Sequence, residues 1–379
     1  MRNHLKETNL RVLHIIDNNC SGRYFQDLIP GQAEIYGQVG LLTFEPSTRP
    51  LWINSSNIFF ITGSKANTNL LIKSLCVWRA MRLFSPDVVF THLPKSATLG
   101  AIFCRVFNRQ NIYVRHYLDE HWKMNKPWLR LWDILICFTS RNILTMSNET
   151  RLWLERKEKV KKDKIRVIAQ ALNVENLEFD SEIVKAIREE VKEVENSPQP
   201  FIGVCVSRFS QGKGQESLVD AVFEFKKQSP LNLVIYFLGT GDSSSLIEHI
   251  KALKLERVCK VVGFTSEVLS YIKAADFVVH PSTVDSFSQA LMEGLYLGIP
   301  VLAVRAGSAE IQIKDGVTGW LIERSTSIEL LDGLLLATSD RYKLQLMGIR
   351  AKQDVIERFP FEQMLKEYRT LIIDVISKE

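Results

Sequence analysis

Short runs of β-branched and aromatic residues alternate with longer amphipathic stretches along this chain, and the alternation starts twice. In the first half the strand-like runs fall at residues 11–16, 38–44, 87–91, 111–115, 142–146 and 164–168. Helical patterns lie between them, as at 70–83 and 97–107. A second series opens at 201–206 and continues at 232–238, 258–262, 277–280 and 301–304. Strands that alternate with helices at this spacing build parallel sheets from βαβ units. Two series predict an α/β protein of two doubly wound domains, and 379 residues suit two domains at roughly 150 residues each. The expected division is a first domain over 1–175, a linker helix over 176–199 and a second domain over 200–358, with a last helix over 359–379. The linker helix follows from the stripe Ile183, Val184, Ile187, Val191 and Val194. After Gly319 the chain reads as helices only. Two doubly wound domains are expected to leave a ligand cleft at the carboxyl ends of their strands.

Composition narrows the class. With 46% hydrophobic residues there is material for two cores. No apolar run approaches the ~18 residues that cross a bilayer, and residues 1–9 hold no apolar signal core. Cys20, Cys76, Cys104, Cys137, Cys205 and Cys259 are far apart and never Cys-x-x-Cys, which argues against a disulfide framework or a zinc site. These features predict a cytoplasmic protein. The formal charge of +5 hides an asymmetry. Residues 1–200 hold 28 Lys and Arg against 21 Asp and Glu, a net +7, whereas 201–379 hold 20 against 22, a net −2. Six of the seven tryptophans lie in the basic half.

Chemistry-bearing residues concentrate in the second half, each where a strand-like run ends. After the run at 277–280 comes a polar loop with Asp285, a helix from about Ser288, and Glu293 inside that otherwise apolar helix. Unpaired N–H groups at such a helix start suit a phosphate. A carboxylate at 293 needs a hydrogen-bonded or ligand-facing environment. Two plainer readings stay open: Asp285 as a helix cap and Glu293 as a solvated face residue. After the run at 201–206, Arg208 and Lys213 share a loop with Gly212 and Gly214. Two cations there could hold a diphosphate and stabilise it as a leaving group, or be ordinary surface bases. Gly239-Thr-Gly241 follows the next run but lacks the third glycine of a dinucleotide fingerprint. Gly307 and Glu310 follow the run at 301–304, where Glu310 could equally be a first-turn dipole residue. Their joint placement at successive strand ends argues for one site.

With these residues in view, 201–323 resembles the donor-binding domain of glycosyltransferase family 4, the retaining group with the GT-B fold. The family's Gly-Arg-x-x-x-x-Lys-Gly pattern appears as Ser207-Arg208 with Lys213-Gly214, its Gly-x-Gly as Gly239-Thr-Gly241, and its Ala-Asp…Pro-Ser as Ala275-Asp276…Pro281-Ser282. The Glu-x7-Glu spacing runs from Asp285 to Glu293, followed by Gly298-Ile-Pro300. The Gly-Gly-x-x-Glu turn matches Ala306-Gly307-Ser-Ala-Glu310. The resemblance implies that Arg208 and Lys213 grip the donor diphosphate, Glu293 binds the ribose, and Asp285 contacts the transferred sugar. It places Gly22, Gly239, Gly241, Ser286, Phe287, Gly307 and Glu310 in the donor site as well. It implies a nucleoside diphosphate-sugar as co-substrate, no cofactor and no divalent metal, front-face chemistry without a protein nucleophile, and a C-terminal helix crossing back onto the first domain. Three positions depart from the pattern: Asp285 is one methylene short, Ala169-Gln170-Ala171 replaces Pro-Asn-Gly, and Ala306 replaces a glycine.

The first half carries a weaker resemblance, in Ser85-Pro-Asp-Val-Val89 and in His116, which aligns with the family's acceptor-side histidine. A packed or surface imidazole is the plainer reading of His116. Residues 115–141 interleave Trp122, Trp128, Leu131, Trp132 and Leu135 with Lys123, Lys126 and Arg130, and 151–166 adds seven further Lys and Arg after Arg151. Trp with cations on one face fits docking at an anionic membrane surface. The alternative is a core stripe at helical spacing beside a solvated run of lysines. No nucleic-acid recognition motif accompanies the charge. The sequence therefore predicts a peripherally membrane-associated, retaining hexosyltransferase acting on a glycan or lipid-linked acceptor. A catalytically inactive nucleotide-binding partner subunit and a sugar-nucleotide epimerase of the same fold are the alternatives.

Overall fold

A computed structural model describes residues 10–17, 22–44, 53, 56–62, 69–118, 126–195, 200–285 and 287–377. Cys20, Ser21, Trp52, Trp122, Lys123 and Ser286 lie outside them. The chain divides into two compact units, one running to Leu172 and rejoined from Phe361 onward, the other Asn173–Pro360.

The first unit is a seven-stranded parallel sheet: β1 (Arg11–Ile16), β2 (Gln38–Thr43), β3 (Ile58–Thr62), β4 (Val88–His92), β5 (Gln110–Arg115), β6 (Asn142–Thr145) and β7 (Ile165–Val167), in the order 3-2-1-4-5-6-7. The central strands are buried on both faces, so they read as near-continuous apolar runs. Helices α1 (Arg23–Tyr36), α2 (Leu70–Phe84), α3 (Pro94–Val106), α4 (Pro127–Thr139) and α5 (Asn148–Arg156) connect or flank them. The second unit contains α6 (Ser181–Glu195), then β8 (Phe201–Val206), α7 (Gln215–Gln228), β9 (Leu233–Leu238), α8 (Ser244–Ala252), β10 (Cys259–Gly263), α9 (Val268–Ala274), β11 (Phe277–His280), α10 (Gln289–Tyr296), β12 (Val301–Val304), α11 (Ala309–Gln312) and β13 (Gly319–Ile322). Its sheet order is 10-9-8-11-12-13. Helices α12 (Ser327–Thr338) and α13 (Arg341–Arg358) complete it, and α14 (Phe361–Ile376) belongs to the first unit. Both sheets reverse their strand order at one place, between β1 and β4 and between β8 and β11.

Several boundaries differ from the sequence reading. The stretch after Gly319 is not helical throughout, because β13 pairs in parallel with β12 from Val301↔Gly319 to Val304↔Ile322. A Cβ at Gly319 would lie 2.2 Å from the Val301 carbonyl oxygen, so the glycine permits the close pairing. Four residues behind a glycine turn are too short to show a period. The edge strand β3 and helix α1 were also not expected; Pro30 interrupts the pattern of α1 by removing one N–H donor. The helix expected as a linker packs within the second unit: Ile187 and Val191 are buried, Arg188 pairs with Asp276 at 3.5 Å, and the Tyr236 hydroxyl donates to Glu190.

On one face of the first sheet, α1 and α14 meet through Tyr24 and Tyr368, whose hydroxyls are 2.6 Å apart. Arg115 at the end of β5 is fully buried and pairs with Glu158 at 2.7 Å and Asp133 at 3.4 Å, tying β5 to α4 and to the segment after α5. Glu158 therefore neutralises a buried arginine and does not offset the surface lysines around it.

Candidate active site

The second unit's reversal point assembles the cluster that the motifs suggested. Loop 207–214 leaves β8 and is stapled from three sides. The Phe209 N–H donates to the Thr240 carbonyl, the Gln215 amide nitrogen donates to the Ser207 hydroxyl at 2.8 Å and the Arg208 carbonyl at 2.9 Å, and the Thr283 N–H donates to the Gly212 carbonyl. Glycine is required where these loops touch. A Cβ at Gly239 (φ +152°) would stand 1.9 Å from the Ser207 carbonyl oxygen, and Gly214 (φ +74°) has no room beside Pro281.

Within this frame Lys213 Nζ donates to Asp285 Oδ1 at 2.6 Å, and His280 Nε2 donates to Asp285 Oδ2 at 2.7 Å. Burial alone would raise the Asp285 carboxyl. The hydrogen bond and charge of His280, then those of Lys213, outweigh it and hold the group well below the usual carboxylate range. Asp285 is thus a carboxylate that orients a lysine, and it does not cap α10. Lys213 has three N–H donors and gives one to Asp285. Arg208 stands exposed on the same loop, with no ion pair among the described residues. Outside the loop lies a cavity of about 500 Å³ whose lining includes Gly212, Gln215, Glu216 and Asp242; the two carboxylates make it unsuited to phosphate.

Glu293 is 8% exposed in α10, which overturns the solvated-face reading. Phe287 is buried just before the helix. The starts of α10 and α11 are laced together: the Ser288 N–H donates to the Ser308 hydroxyl, and Gln312 donates to the Ser288 carbonyl at 3.1 Å. Gly307 (φ +59°) is pressed against the loop, since a Cβ there would lie 1.6 Å from the Asp285 carbonyl oxygen. The glycine requirement of this turn thus sits at 307, and Ala306 carries no positive φ. Glu310 is exposed and paired with Arg305 at 3.0 Å. Gly22 is the N-cap of α1 with φ −71°, an extended conformation open to any residue.

Among the described residues, no group of three His, Cys, Asp or Glu side chains is placed to hold a metal. Residues 21–176 match the family described as "Glycosyltransferase Family 4" and residues 187–354 match "Glycosyl transferases group 1". The chain belongs to glycosyltransferase family 4. Its relatives include N-acetyl-alpha-D-glucosaminyl L-malate synthase of Bacillus anthracis, 25% identical over 50% of this chain and 49% of that protein. An Escherichia coli UDP-Gal:alpha-D-GlcNAc-diphosphoundecaprenol alpha-1,3-galactosyltransferase is 20% identical over 85% of each chain. The chain spans about half the length of several relatives it matches, 49% and 53% in two cases. Among solved structures, HepE of Anabaena in complex with UDP and glucose aligns with TM-score 0.81 at 20% identity, covering 96% of this chain and 99% of that one. Sucrose-phosphate synthase of Thermosynechococcus elongatus aligns with TM-score 0.80 at 17% identity, covering 97% and 100%. The fold of this family 4 member is GT-B.

The first unit's reversal point brings His116 together with residues that the motifs did not flag, His14, Gln32 and His92. His116 follows β5 and is partly buried. Its Nε2 lies 2.8 Å from His92 Nδ1, His92 Nε2 lies 2.9 Å from His14 Nδ1, and His14 Nε2 lies 2.7 Å from Gln32 Oε1. Burial lowers His14 and His116 to about 4, and burial with the neighbouring imidazoles lowers His92 well below the ordinary value, so all three are neutral at pH 7. Beside them Asp17 accepts from the N–H groups of Lys95 (3.0 Å) and Ser96 (2.6 Å) at the start of α3. The available signal was a histidine at an inward position of an otherwise apolar strand, as in Val12-Leu-His-Ile-Ile16 and Val88-Val-Phe-Thr-His92. His280 carries the same signal in β11.

Proposed function

We propose that this family 4 protein transfers a hexose, with retention, from a nucleoside diphosphate-sugar bound by the second unit to a glycan or lipid-linked acceptor bound by the first. The observation that carries the reading is the Lys213–Asp285–His280 cluster beside Arg208 at a sheet's reversal point, where ligands bind in doubly wound folds. Lys213 and Arg208 supply the positive charge that a departing diphosphate develops, so the reading assigns no resident metal. The bond from the anomeric carbon to the phosphate oxygen breaks with its electron pair on the diphosphate. The acceptor oxygen bonds to the same carbon from the same face, and its proton passes to the departing phosphate oxygen. Glu293 is assigned to the ribose, and His116 to the acceptor side. Ser286, Phe287, Gly239, Gly241, Gly307, Glu310 and Gly22 complete the donor-site assignment carried by the family motifs.

The acceptor reading draws on a surface as well. Helices α2, α3 and α4 line one another, and their outer faces expose Leu71, Leu75, Val106, Trp128, Leu131 and Phe138, the last 79% exposed. Trp128, Leu131 and Leu135 are therefore not core. Arg82 lies over Trp78, Arg105 donates to the Thr139 carbonyl and Lys164 lies over Phe138, so cations border the apolar face, a combination that suits an anionic membrane rather than nucleic acid. Among the described residues no helix is long and apolar enough to cross a membrane. The association we propose is peripheral and cytoplasmic. The relative named for a diphosphoundecaprenol acceptor agrees with a lipid-linked substrate in polysaccharide or glycolipid biosynthesis.

HepE has been solved with UDP-glucose, which makes UDP-sugars the first donors to test. The expected result in a panel of nucleotide sugars is hydrolysis or transfer from one donor class, undiminished by EDTA. Nucleotide binding with neither hydrolysis nor transfer would sink the reading in favour of a partner subunit, and donor interconversion without acceptor would favour an epimerase.

A further inference from the structure

Helix α11 is four residues long, too short to hold itself, yet the start of α10 depends on where it stands. Ser288, which precedes α10, makes no side-chain cap of its own. Its N–H donates to the Ser308 hydroxyl at 3.1 Å, that hydroxyl donates to Gln312 Oε1 at 3.2 Å, and Gln312 Nε2 donates back to the Ser288 carbonyl at 3.1 Å. The ring closes with every donor on an acceptor, and the carbonyl, which only accepts, sets the orientation of the amide. Ser288, Ser308 and Gln312 are at most 6% exposed, so water does not substitute for a lost link.

What holds α11 in turn lies at the end of α13. Arg358 donates from Nη1 to the Ile311 carbonyl and from Nη2 to the Gln312 carbonyl at 2.7 Å, two of the groups that a helix end leaves unpaired. Asp354, one turn earlier, accepts from Arg358 Nε at 2.7 Å and pairs with Lys314, so the guanidinium is aimed from behind. The next residue reaches α10 directly: the Phe359 carbonyl accepts from the Tyr296 hydroxyl, and the Phe359 ring meets Phe287 edge-on at 6.5 Å. Residues 358 and 359 therefore fasten α10 at both ends, at its start through α11 and at its end by contact.

We propose that Arg358 is a positioning residue for the nucleotide donor: it fixes α11, and through Gln312 and Ser308 the start of α10, so that Glu293 of that helix meets the ribose in one place. The inference deepens the donor-site reading proposed above and rests on it. Arg358 itself touches no ligand. Its loss leaves the groups of the site present and loosens the helix that carries one of them, which weakens binding more than it slows the transfer step.

The test uses the full chain and two substitutions, Arg358→Gln and Gln312→Met, which cut successive links of the path. Hydrogen exchange should show the Ser288 amide losing about tenfold in protection in each, while the amides of β8 and β9 keep theirs. Affinity for UDP or GDP by calorimetry should fall about tenfold and the donor KM should rise to match, with kcat within about threefold. The double variant should bind within about twofold of the weaker single one, because both changes break the same path. Ser288 protection that survives in Arg358→Gln overturns the proposal. So does an unchanged donor KM, a fall confined to kcat, or a loss in the double variant equal to the product of the two single losses. If Arg358→Gln does not fold, Arg358→Lys takes its place under the same readings, since a lysine keeps the charge facing Asp354 but does not span both carbonyls. An unsubstituted protein that neither binds nucleotide nor transfers sugar would overturn the donor reading, and the exchange of Ser288 would then decide the placement of α10 separately.

Discussion

The two sheets reverse strand order in the same way, yet the side chains at the two reversal points are electrostatic opposites. Between β8 and β11 the chain places a lysine 2.6 Å and a histidine 2.7 Å from the two oxygens of one carboxylate, with an exposed arginine on the same loop as the lysine. Between β1 and β4 it places three imidazoles whose burial keeps them uncharged. A diphosphate carries charge that must be met when it leaves, and a fixed cation meets it at no reorganisation cost. An acceptor hydroxyl is neutral and needs orientation, which neutral donors and acceptors give without a desolvation penalty. On the proposed function, one topology would serve two ligand chemistries, and the difference would lie in which side chains are allowed to stay ionised.

The comparison is tested hardest by removing charge where it is needed. Lys213→Ala should lower transferase turnover by roughly 10²–10³, the range for losing one donor to a developing negative charge. Arg208→Ala should act in the same direction, and circular dichroism and the melting transition should change little because Arg208 is exposed. Turnover within a few-fold of the unsubstituted protein in both variants would remove the diphosphate assignment.

How far the sequence foresaw this contrast depended on the kind of signal. The two parallel sheets were legible because buried strands are written as contiguous apolar runs, and the clustering of loop 207–214 with Asp285 because glycines and cations recur at fixed spacing from a strand end. Asp285 and Glu293 were singled out by their interval of eight residues, whereas His280, which hydrogen-bonds Asp285, lies inside a strand and carries no interval. The histidine chain was missed for the same reason. His14, Gln32 and His92 come from β1, α1 and β4, and only the pairing of His14 with Phe90 and of Ile16 with His92 brings them to one face. The stripe on α4 was ambiguous because apolar residues at helical spacing look alike whether a neighbouring element covers them or not. β13 was missed because four residues give no period.

The second way to separate the two clusters is pH. The unfolded-state histidine value is about 6.5, and His14 and His116 fall to about 4 when folded. Between those values the unfolded chain binds more protons, so the contribution of these rings is fully present above pH 6.5 and is lost as pH falls. The slope is up to about 1.4 kcal/mol per pH unit for each fully buried ring, less for the partly exposed His116. Asp285 behaves oppositely: its folded value is depressed, so its contribution persists until pH drops below the usual carboxylate range. Hydrogen exchange on the full chain, corrected for intrinsic rates, should then show β1, β4 and β5 losing protection between pH 6.5 and 5 while β8 and β11 keep theirs. Equal loss in both sheets would erase the electrostatic distinction.

A smaller effect concerns charge outside the clusters. Each basic residue at an anionic membrane contributes about 1 kcal/mol. Arg82→Gln should therefore weaken sedimentation with phosphatidylserine-containing liposomes several-fold at low salt, and Trp128→Ser should weaken it at all salt concentrations. Binding absent in the unsubstituted protein, or indifferent to both changes, would confine the basic character of the first unit to solubility.

The smallest expected effect probes how the neutral cluster is held. Directly after His92, Leu93 has φ +73° and ψ 164°, a region open almost only to glycine. The turn aims the first N–H groups of α3 at Asp17, which accepts from Lys95 and Ser96, and it brings the Ser96 hydroxyl onto the His92 carbonyl. The strain is tolerated because three hydrogen bonds over-determine the backbone there. Leu93→Gly relieves the steric conflict but widens the unfolded ensemble, two effects of order 1 kcal/mol and opposite sign. The strain term is the larger, so equilibrium unfolding should show a gain of up to about 1 kcal/mol. A loss of stability would mean that the Leu93 side chain, not the turn, is what fastens β4 to α3, and the neutral cluster would then owe its geometry to packing rather than to the backbone that Asp17 captures.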